Sequence, residues 1–231
     1  MIIGKGMIAN RFMSRYKDDS NVIIFASGVS DSTEKNEELY NREKILLNEV
    51  IEKNSSKKFV YFSSIMVLSG MESEYLKHKI KIENLIKERC KEYLIIRLPQ
   101  ILGVGGNKKN IANHFNSSVK NDIALKIQKN TIRSIIDVDD LFGITSECID
   151  KINSEVVNLS YIEKINVYDL AKLFYKIHNK NENIIEMEQG YSIITKNSSI
   201  IDNIISTNNI IKDNYTQKVL YKYFYDKINS F

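Results

Sequence analysis

The feature that most constrains this chain is a regular alternation, over its first hundred residues, of short apolar runs and longer amphipathic ones. Runs at 1–4, 21–27, 58–64 and 92–98 read as strands, and stretches at 7–17, 34–53 and 74–91 read as helices. Strands that alternate with helices indicate a parallel sheet, because parallel neighbours need a crossover long enough to hold a helix. Val22-Ile23-Ile24-Phe25, Phe59-Val60-Tyr61-Phe62 and Tyr93-Leu94-Ile95-Ile96 are apolar at successive positions, as strands covered on both faces must be. The helix at 34–53 carries Leu39, Ile45, Leu46, Val50 and Ile51 at helical spacing opposite a charged face, and these residues are its expected core side. Pro99, the only proline, ends the fourth strand.

Beyond Gly103-Val104-Gly105-Gly106 the pattern loosens into short mixed elements. Helices are expected at 167–178 and 214–228, the latter packing Leu220, Tyr221, Phe224 and Tyr225; the Asn- and Ile-rich stretch 179–213 gives no assignment. A chain of 231 residues with 43% hydrophobic content suits a single compact unit, divided here into a core over 1–130 and a C-terminal segment over 131–231. The net charge of +4 is spread among glutamates and aspartates, which argues against nucleic acid as a partner. No apolar run approaches the roughly 20 residues needed to cross a bilayer, and the start lacks a secretory pattern, so a cytoplasmic protein with no membrane partner is expected. Cys90 and Cys148 have no cysteine or histidine at ligand spacing and read as unpaired thiols, with no metal. His78, His114 and His178 are assigned no chemical role, and His78 is expected to be exposed or structural.

Two local patterns carry chemistry. Gly4-Lys5-Gly6-Met7-Ile8-Ala9 stands where the first strand turns into the first helix, and small residues there let the backbone approach a pyrophosphate at the helix N-terminus. A tyrosine four residues before a lysine, which share a helix face, occurs at Tyr40/Lys44, Tyr75/Lys79, Tyr168/Lys172 and Tyr223/Lys227. Only Tyr75 follows an apolar strand that ends in hydroxyls, Ser63 and Ser64. An ammonium about 4 Å from a phenol, at an effective dielectric of about 20, supplies roughly 4 kcal/mol. That suffices to bring a group that titrates near pH 10 down by about 2–3 units, into the range of a useful acid-base catalyst.

Read in order, GKGMIANRF, VIIFASG, FVYFSS, YLKHK, RLPQILGVGG and RSIIDVDDL resemble the extended short-chain dehydrogenase/reductase family, the epimerase and dehydratase group that works on nucleotide sugars. The resemblance runs from Met1 to about Leu173. It implies an α/β fold, a Rossmann-like parallel sheet covered by helices with a small C-terminal substrate lobe, NAD or NADP as cofactor, and a nucleotide sugar as small-molecule substrate. Gly4, Lys5, Gly6, Met7 and Ile8 then face the pyrophosphate, while Ala26, Ser27 and Gly28 border the cofactor. Tyr75 exchanges the proton, Lys79 holds the nicotinamide ribose, and Ser64, in preference to Ser63, binds the substrate oxygen. Pro99 belongs to the strand end that covers the nicotinamide, and Arg133 resembles an arginine that contacts the nucleotide diphosphate. The helices near 34–53, with Asn41, and 74–91 resemble the pair that forms the family's homodimer. The implied function is reduction of a keto group on a nucleotide-activated deoxysugar for surface polysaccharide synthesis. Epimerisation with bound NAD and non-catalytic binding of a dinucleotide or nucleotide sugar are the alternatives.

The chain also departs from that family. Between Ala9 and Val22 there is room for one helix and a turn, where the family has a helix, two strands and another helix that carry the adenosine half of the cofactor. The sheet is therefore expected to be trimmed on the adenosine side, unless the strand at 21–27 is the family's second strand and Asp31 its ribose-gripping acid. After Ser64 stand Ile65 and Met66, in place of the Asp-Glu pair of the sugar 4,6-dehydratases, which disfavours dehydration.

Overall fold

Residues 1–188, 190, 192 and 195–225 are described by a computed structural model. The alternation resolves into β1 (Ile2–Ile3), α1 (Met7–Tyr16), β2 (Val22–Phe25), α2 (Glu37–Lys53), β3 (Lys58–Ser64), α3 (Glu74–Arg89) and β4 (Tyr93–Leu98). There follow β5 (Gln100–Leu102), α4 (Ile111–Lys120), β6 (Leu125–Gln128), β7 (Ile132–Arg133), β8 (Ile135–Asp137), α5 (Val138–Lys151) and β9 (Glu155–Asn158). The remainder holds β10 (Ile165–Asn166), α6 (Val167–His178), β11 (Ile184–Met187), α7 (Ser199–Thr207) and α8 (Tyr215–Leu220).

The main sheet is parallel throughout, in the order β1-β2-β3-β4-β9. Its register sets Ile2 opposite Ile24, Val22 opposite Lys58 and Phe59 opposite Tyr93. Every residue of β2 and β3 is buried. The period-2 alternation of the strands divides the core. Ile24, Val60 and Ile96 pack on one face with Phe12 and Leu141, while Ile23, Phe25, Phe59 and Tyr61 pack on the other with Leu47, Ile82 and Ile86.

This order places the strand at 22–25 between β1 and β3. The second strand of a dinucleotide-binding fold lies on the far side of the first, and the fourth lies where β2 is found. Asp31 is therefore not the acid of a second strand, and β1 forms the trimmed edge of the sheet. At two residues it leaves little unpaired backbone for another chain to extend. Gly4 makes the turn after this edge. Its φ is +133°, and a Cβ there would lie 2.4 Å from the Ala26 carbonyl oxygen. Gly4→Ala should therefore cost about 2 kcal/mol or more, seen as a lower urea midpoint at unchanged slope.

The inner face of α2 differs from the sequence expectation. Tyr40, Glu43, Leu47, Val50 and Ile51 are buried, whereas Leu39 and Ile45 are 36% and 60% exposed. The helix is rotated so that a glutamate takes a core position, a choice hydrophobic periodicity scores as surface. His78 is likewise buried, which corrects the exposed half of its expectation.

The C-terminal segment supplies α5, which packs on α1 and β4, and β9, which closes the sheet. Three small pairings build the lobe above it: β5 with β8, β6 with β11 and, antiparallel, β7 with β10. The stretch 179–213 contains β11 and α7. α8 passes into a π-helical turn at Tyr221–Tyr225, and the part of the expected 214–228 helix beyond 225 lies outside the described residues. Lys222 bridges Asp137 and Asp139 at 2.7 and 2.6 Å, fastening this end of the chain to the start of α5. Among the described residues no helix is long and apolar enough to cross a membrane, and no cluster of acidic, histidine or cysteine side chains has metal-site geometry.

Candidate active site

The C-terminal ends of the parallel strands open into a cavity of about 890 Å³, at the upper end of the roughly 300–1,000 Å³ usual for small-molecule sites. Lys5, Gly6, Met7 and Ile8 line it from the start of α1, and Ala26, Ser27 and Gly28 from the end of β2. Ser64, Tyr75, Lys79, Pro99 and Arg133 line it as well. Gly4 does not, since it packs behind the turn against Ala26. Tyr40, Lys44, Tyr168, Lys172 and Tyr223 lie outside the lining, and among the described residues of the four spacings Tyr75 and Lys79 alone reach this cavity; Lys227 lies outside the described residues.

Gly6 is the N-cap of the ten-residue α1, and no side chain caps the helix. A Cβ at Gly6 would meet nothing within 4 Å. The first turn, at the positive end of the helix dipole, thus carries no side-chain cap and borders the cavity from Lys5 to Ile8, which suits a pyrophosphate.

α3 brings the catalytic candidates to one face. Ser73 caps it by accepting from the Leu76 N–H at 3.2 Å, and the resulting phase buries Tyr75, Lys79, Ile82, Glu83 and Ile86. The Lys79 ammonium, 3% exposed, donates to the Tyr61 hydroxyl at 2.8 Å and lies 5.7 Å from the centre of the Tyr75 ring. Tyr61 donates in turn to Glu43 Oε1 at 2.7 Å, and that oxygen is 3.6 Å from Lys79 Nζ. The other oxygen, Oε2, accepts from the Val29 N–H at 2.7 Å and pairs with His78 Nε2 at 3.0 Å. A Cβ at Gly28 would lie 2.8 Å from Glu43 Oε1 and 3.0 Å from Lys79 Nζ. Glycine there leaves room for the ion pair against the end of β2.

Burial pushes the Glu43 carboxyl up, but the Lys79 charge and the hydrogen bonds from His78, Val29 and Tyr61 outweigh it and hold the group down at about 2. Burial and then the Glu43 charge push the Tyr61 phenol well above its ordinary value, so Tyr61 is a neutral bridge. Lys79 therefore does not act on Tyr75 as a lone charge. The pair also couples stability to pH. The folded carboxyl titrates near 2 against an ordinary 4.5, so Glu43 stabilises the fold above about pH 4.5 and its contribution is lost as pH falls toward 2. Thermal melts across pH 2–5 should show this loss, and Glu43→Gln should flatten it.

The two serines at the end of β3 differ in their partners. Ser63 donates to Glu83 Oε1 at 2.6 Å, and Arg97 grips the same carboxylate at 2.9 and 2.6 Å. Ser64 accepts from the Met66 N–H at 3.2 Å, capping a 3₁₀ turn at Ile65–Leu68, and retains its own O–H to donate.

The cavity is cationic. Lys5, Arg42, Lys79, Lys109, Arg133 and Lys164 line it against one carboxylate, Asp31. Lys109, at 2.6 Å, and Thr33 hold Asp31 down at about 2, tying the loop after β5 to the loop after β2. Arg133 donates to the Ile132 carbonyl at 3.0 Å. Gln100 Oε1 and Ser134 Oγ, on lining residues, are buried with no hydrogen-bond partner among the described residues. Sequence reasoning passed over Glu43, Tyr61, Gln100 and Lys164. For Glu43 the available signal was its place in phase with Tyr40, Leu47 and Val50.

The sequence matches no model of a known protein family and no curated protein. Solved structures do match over nearly the whole chain. A UDP-glucuronic acid 4-epimerase from Bacillus cereus, in complex with UDP-glucuronic acid and NAD, is 18% identical, with a TM-score of 0.70 over 96% of this chain and 79% of that one. A dTDP-glucose 4,6-dehydratase from Bacillus anthracis in complex with NAD is 13% identical, with a TM-score of 0.69 over 98% and 79%. RMD from Pseudomonas aeruginosa complexed with NADPH is 12% identical, with a TM-score of 0.67 over 97% and 88%. The chain thus shares the Rossmann-like α/β fold of these structures.

Proposed function

We propose that this chain is an NAD(P)-dependent oxidoreductase of the short-chain dehydrogenase/reductase type that reduces a keto group on a nucleotide-activated sugar. The carrying observation is that Ser64, Tyr75, Lys79 and the uncapped start of α1 meet in one cationic cavity. The similar structures were obtained with NAD, NADPH or a UDP-sugar bound, which supports the same ligand classes here. The pyrophosphate fits the first turn of α1, beside Lys5. With no strand outside β1 among the described residues, the adenosine half falls to the loop from Ala26 to Thr33.

When bound, the reduced nicotinamide supplies a hydride to the carbonyl carbon. Tyr75 gives its phenolic proton to the carbonyl oxygen and regains one from solvent after the product alcohol leaves. Ser64 donates a hydrogen bond to that oxygen and strengthens its hold as negative charge develops. Lys79 stands beside Tyr75 and holds the nicotinamide ribose. Arg133 and Lys164 neutralise the substrate diphosphate, and Gln100 Oε1 and Ser134 Oγ accept or share protons with sugar hydroxyls. We assign the protein to the cytoplasm and to polysaccharide synthesis, with a homodimer formed through α2 and α3, where Ile45 and Ile80 are exposed.

Oxidation of NADH or NADPH over a panel of 4-keto nucleoside-diphosphate sugars tests the reading, and turnover with at least one is expected. Sugar conversion without net cofactor consumption would move the assignment to an epimerase, which the same residues suit. The serines give a sharper check. Ser64→Ala should lower kcat by about 10²-fold. Ser63→Ala should leave kcat nearly unchanged while costing about 1–3 kcal/mol of stability, because Glu83 loses a buried donor.

A further inference from the structure

We propose that Glu43 is a positioning residue that acts on Tyr75 through Lys79: paired with Lys79 directly and through Tyr61, its carboxylate opposes the ammonium and so sets how much of that charge reaches the Tyr75 phenol. The inference rests on the reading of Tyr75 as the proton donor. Glu43 does not line the cavity and is fully buried. Its carboxylate is nonetheless completely engaged, by Tyr61 from β3, by Lys79 and His78 from α3 and by the Val29 N–H after β2. Three separate elements thus converge on one carboxylate behind the Lys79 that lines the cavity. The Val29 contact ties the backbone just beyond Ala26-Ser27-Gly28 to the group that holds the catalytic ammonium, so cofactor border and proton donor share one anchor.

Stability alone gives no reason for such a group. Apolar residues of similar volume commonly replace a buried ion pair without loss, and the apolar neighbours Leu47 and Val50 occupy the same face. The other titratable and charged groups around Tyr75 and Lys79 have partners of their own or lie further off. Glu83 is held by Arg97 and Ser63, and Asp31 by Lys109. Tyr40 from α2 donates to the Glu34 carbonyl oxygen and packs against His78 with ring centres 4.6 Å apart and planes tilted by 38°. Among the described residues Glu43 is the one carboxylate in ion-pair range of Lys79. Its negative charge opposes the ammonium at the phenol, so its removal should make Tyr75 a stronger acid.

The test uses the whole chain without cofactor or substrate, its tyrosines labelled with ¹³C at the ring Cζ, and follows each resonance through a pH titration. Tyr75→Phe identifies the Tyr75 signal by its disappearance. In Glu43→Gln the Tyr75 midpoint should fall below that of the wild-type protein, and Glu43→Asp should return it toward the wild-type position. An unchanged or raised midpoint in a folded Glu43→Gln protein overturns the proposal. Should Glu43→Gln not fold, Lys79→Met and the charge-balanced Lys79→Met/Glu43→Gln protein give the same comparison. Tyr75 should then titrate higher where Glu43 is retained, and equal midpoints overturn the idea. Because the titration needs no turnover, its failure in an active enzyme sinks this inference alone, whereas a shifted midpoint in a protein that never binds a dinucleotide sinks the functional reading.

Discussion

Tyr75→Phe should reduce keto-sugar turnover by about 10²–10⁴-fold, the range that a positioned general acid contributes, while NAD(P)H binding stays within a few-fold of wild type. The substitution removes one oxygen. The ring keeps its packing against Val29, Tyr40 and Leu76, so the fold should survive and the loss should fall on kcat rather than on substrate affinity. Lys79 and Ser64 remain, and the residual rate reports what they achieve by positioning alone. Turnover at the wild-type level would remove Tyr75 from the chemistry.

Lys79→Met should lower stability by about 3–5 kcal/mol, because it strands a carboxylate that has no access to water. Glu43 is 0% exposed, so water cannot take the place of the lost ammonium, and Tyr61 also loses the donor to its hydroxyl oxygen. For a domain of this size that is a fall in melting temperature of roughly 6–20 °C. Adding Glu43→Gln should restore most of it, since the second change removes the stranded charge. The two substitutions are therefore strongly non-additive, as expected for groups in direct contact. A Lys79→Met protein that melts within about 2 °C of wild type would mean that the pair carries little energy.

The sheet was legible because β2, β3 and β4 are apolar at consecutive positions, and burial on both faces leaves that mark directly in the sequence. The order of strands was not. That β2 lies between β1 and β3 follows from pairing across the sheet, and the sequence left open whether Asp31 belonged to a second strand. The lobe was harder still. β6 pairs with β11 from about sixty residues away, and the partly exposed Ile184-Ile185-Glu186-Met187 carries no clear alternation of its own.

Of the residues that line the cavity, Ser64, Tyr75, Lys79 and the α1 turn were visible as local patterns. The choice of Ser64 over Ser63 gains a physical reason only from Glu83, twenty residues further on, which takes up the Ser63 hydroxyl. Glu43 stayed hidden for a related reason: its burial is offset by Lys79, Tyr61, His78 and Val29, all distant in sequence. Periodicity weighs each residue by its own polarity, so a charge neutralised by tertiary partners is read as surface.

The central claim is that this cavity takes a dinucleotide although the sheet ends at β1. Thermal melting of the full chain with NADH, NADPH and a set of nucleoside-diphosphate sugars, each added separately, tests it most directly. A dinucleotide present at about 100 times its Kd should stabilise the protein by about 2.7 kcal/mol, a rise of roughly 5–10 °C, with a further rise when a suitable sugar is added. Stabilisation by a nucleoside-diphosphate sugar with none from either dinucleotide would contradict the account and leave a sugar-nucleotide binder in its place.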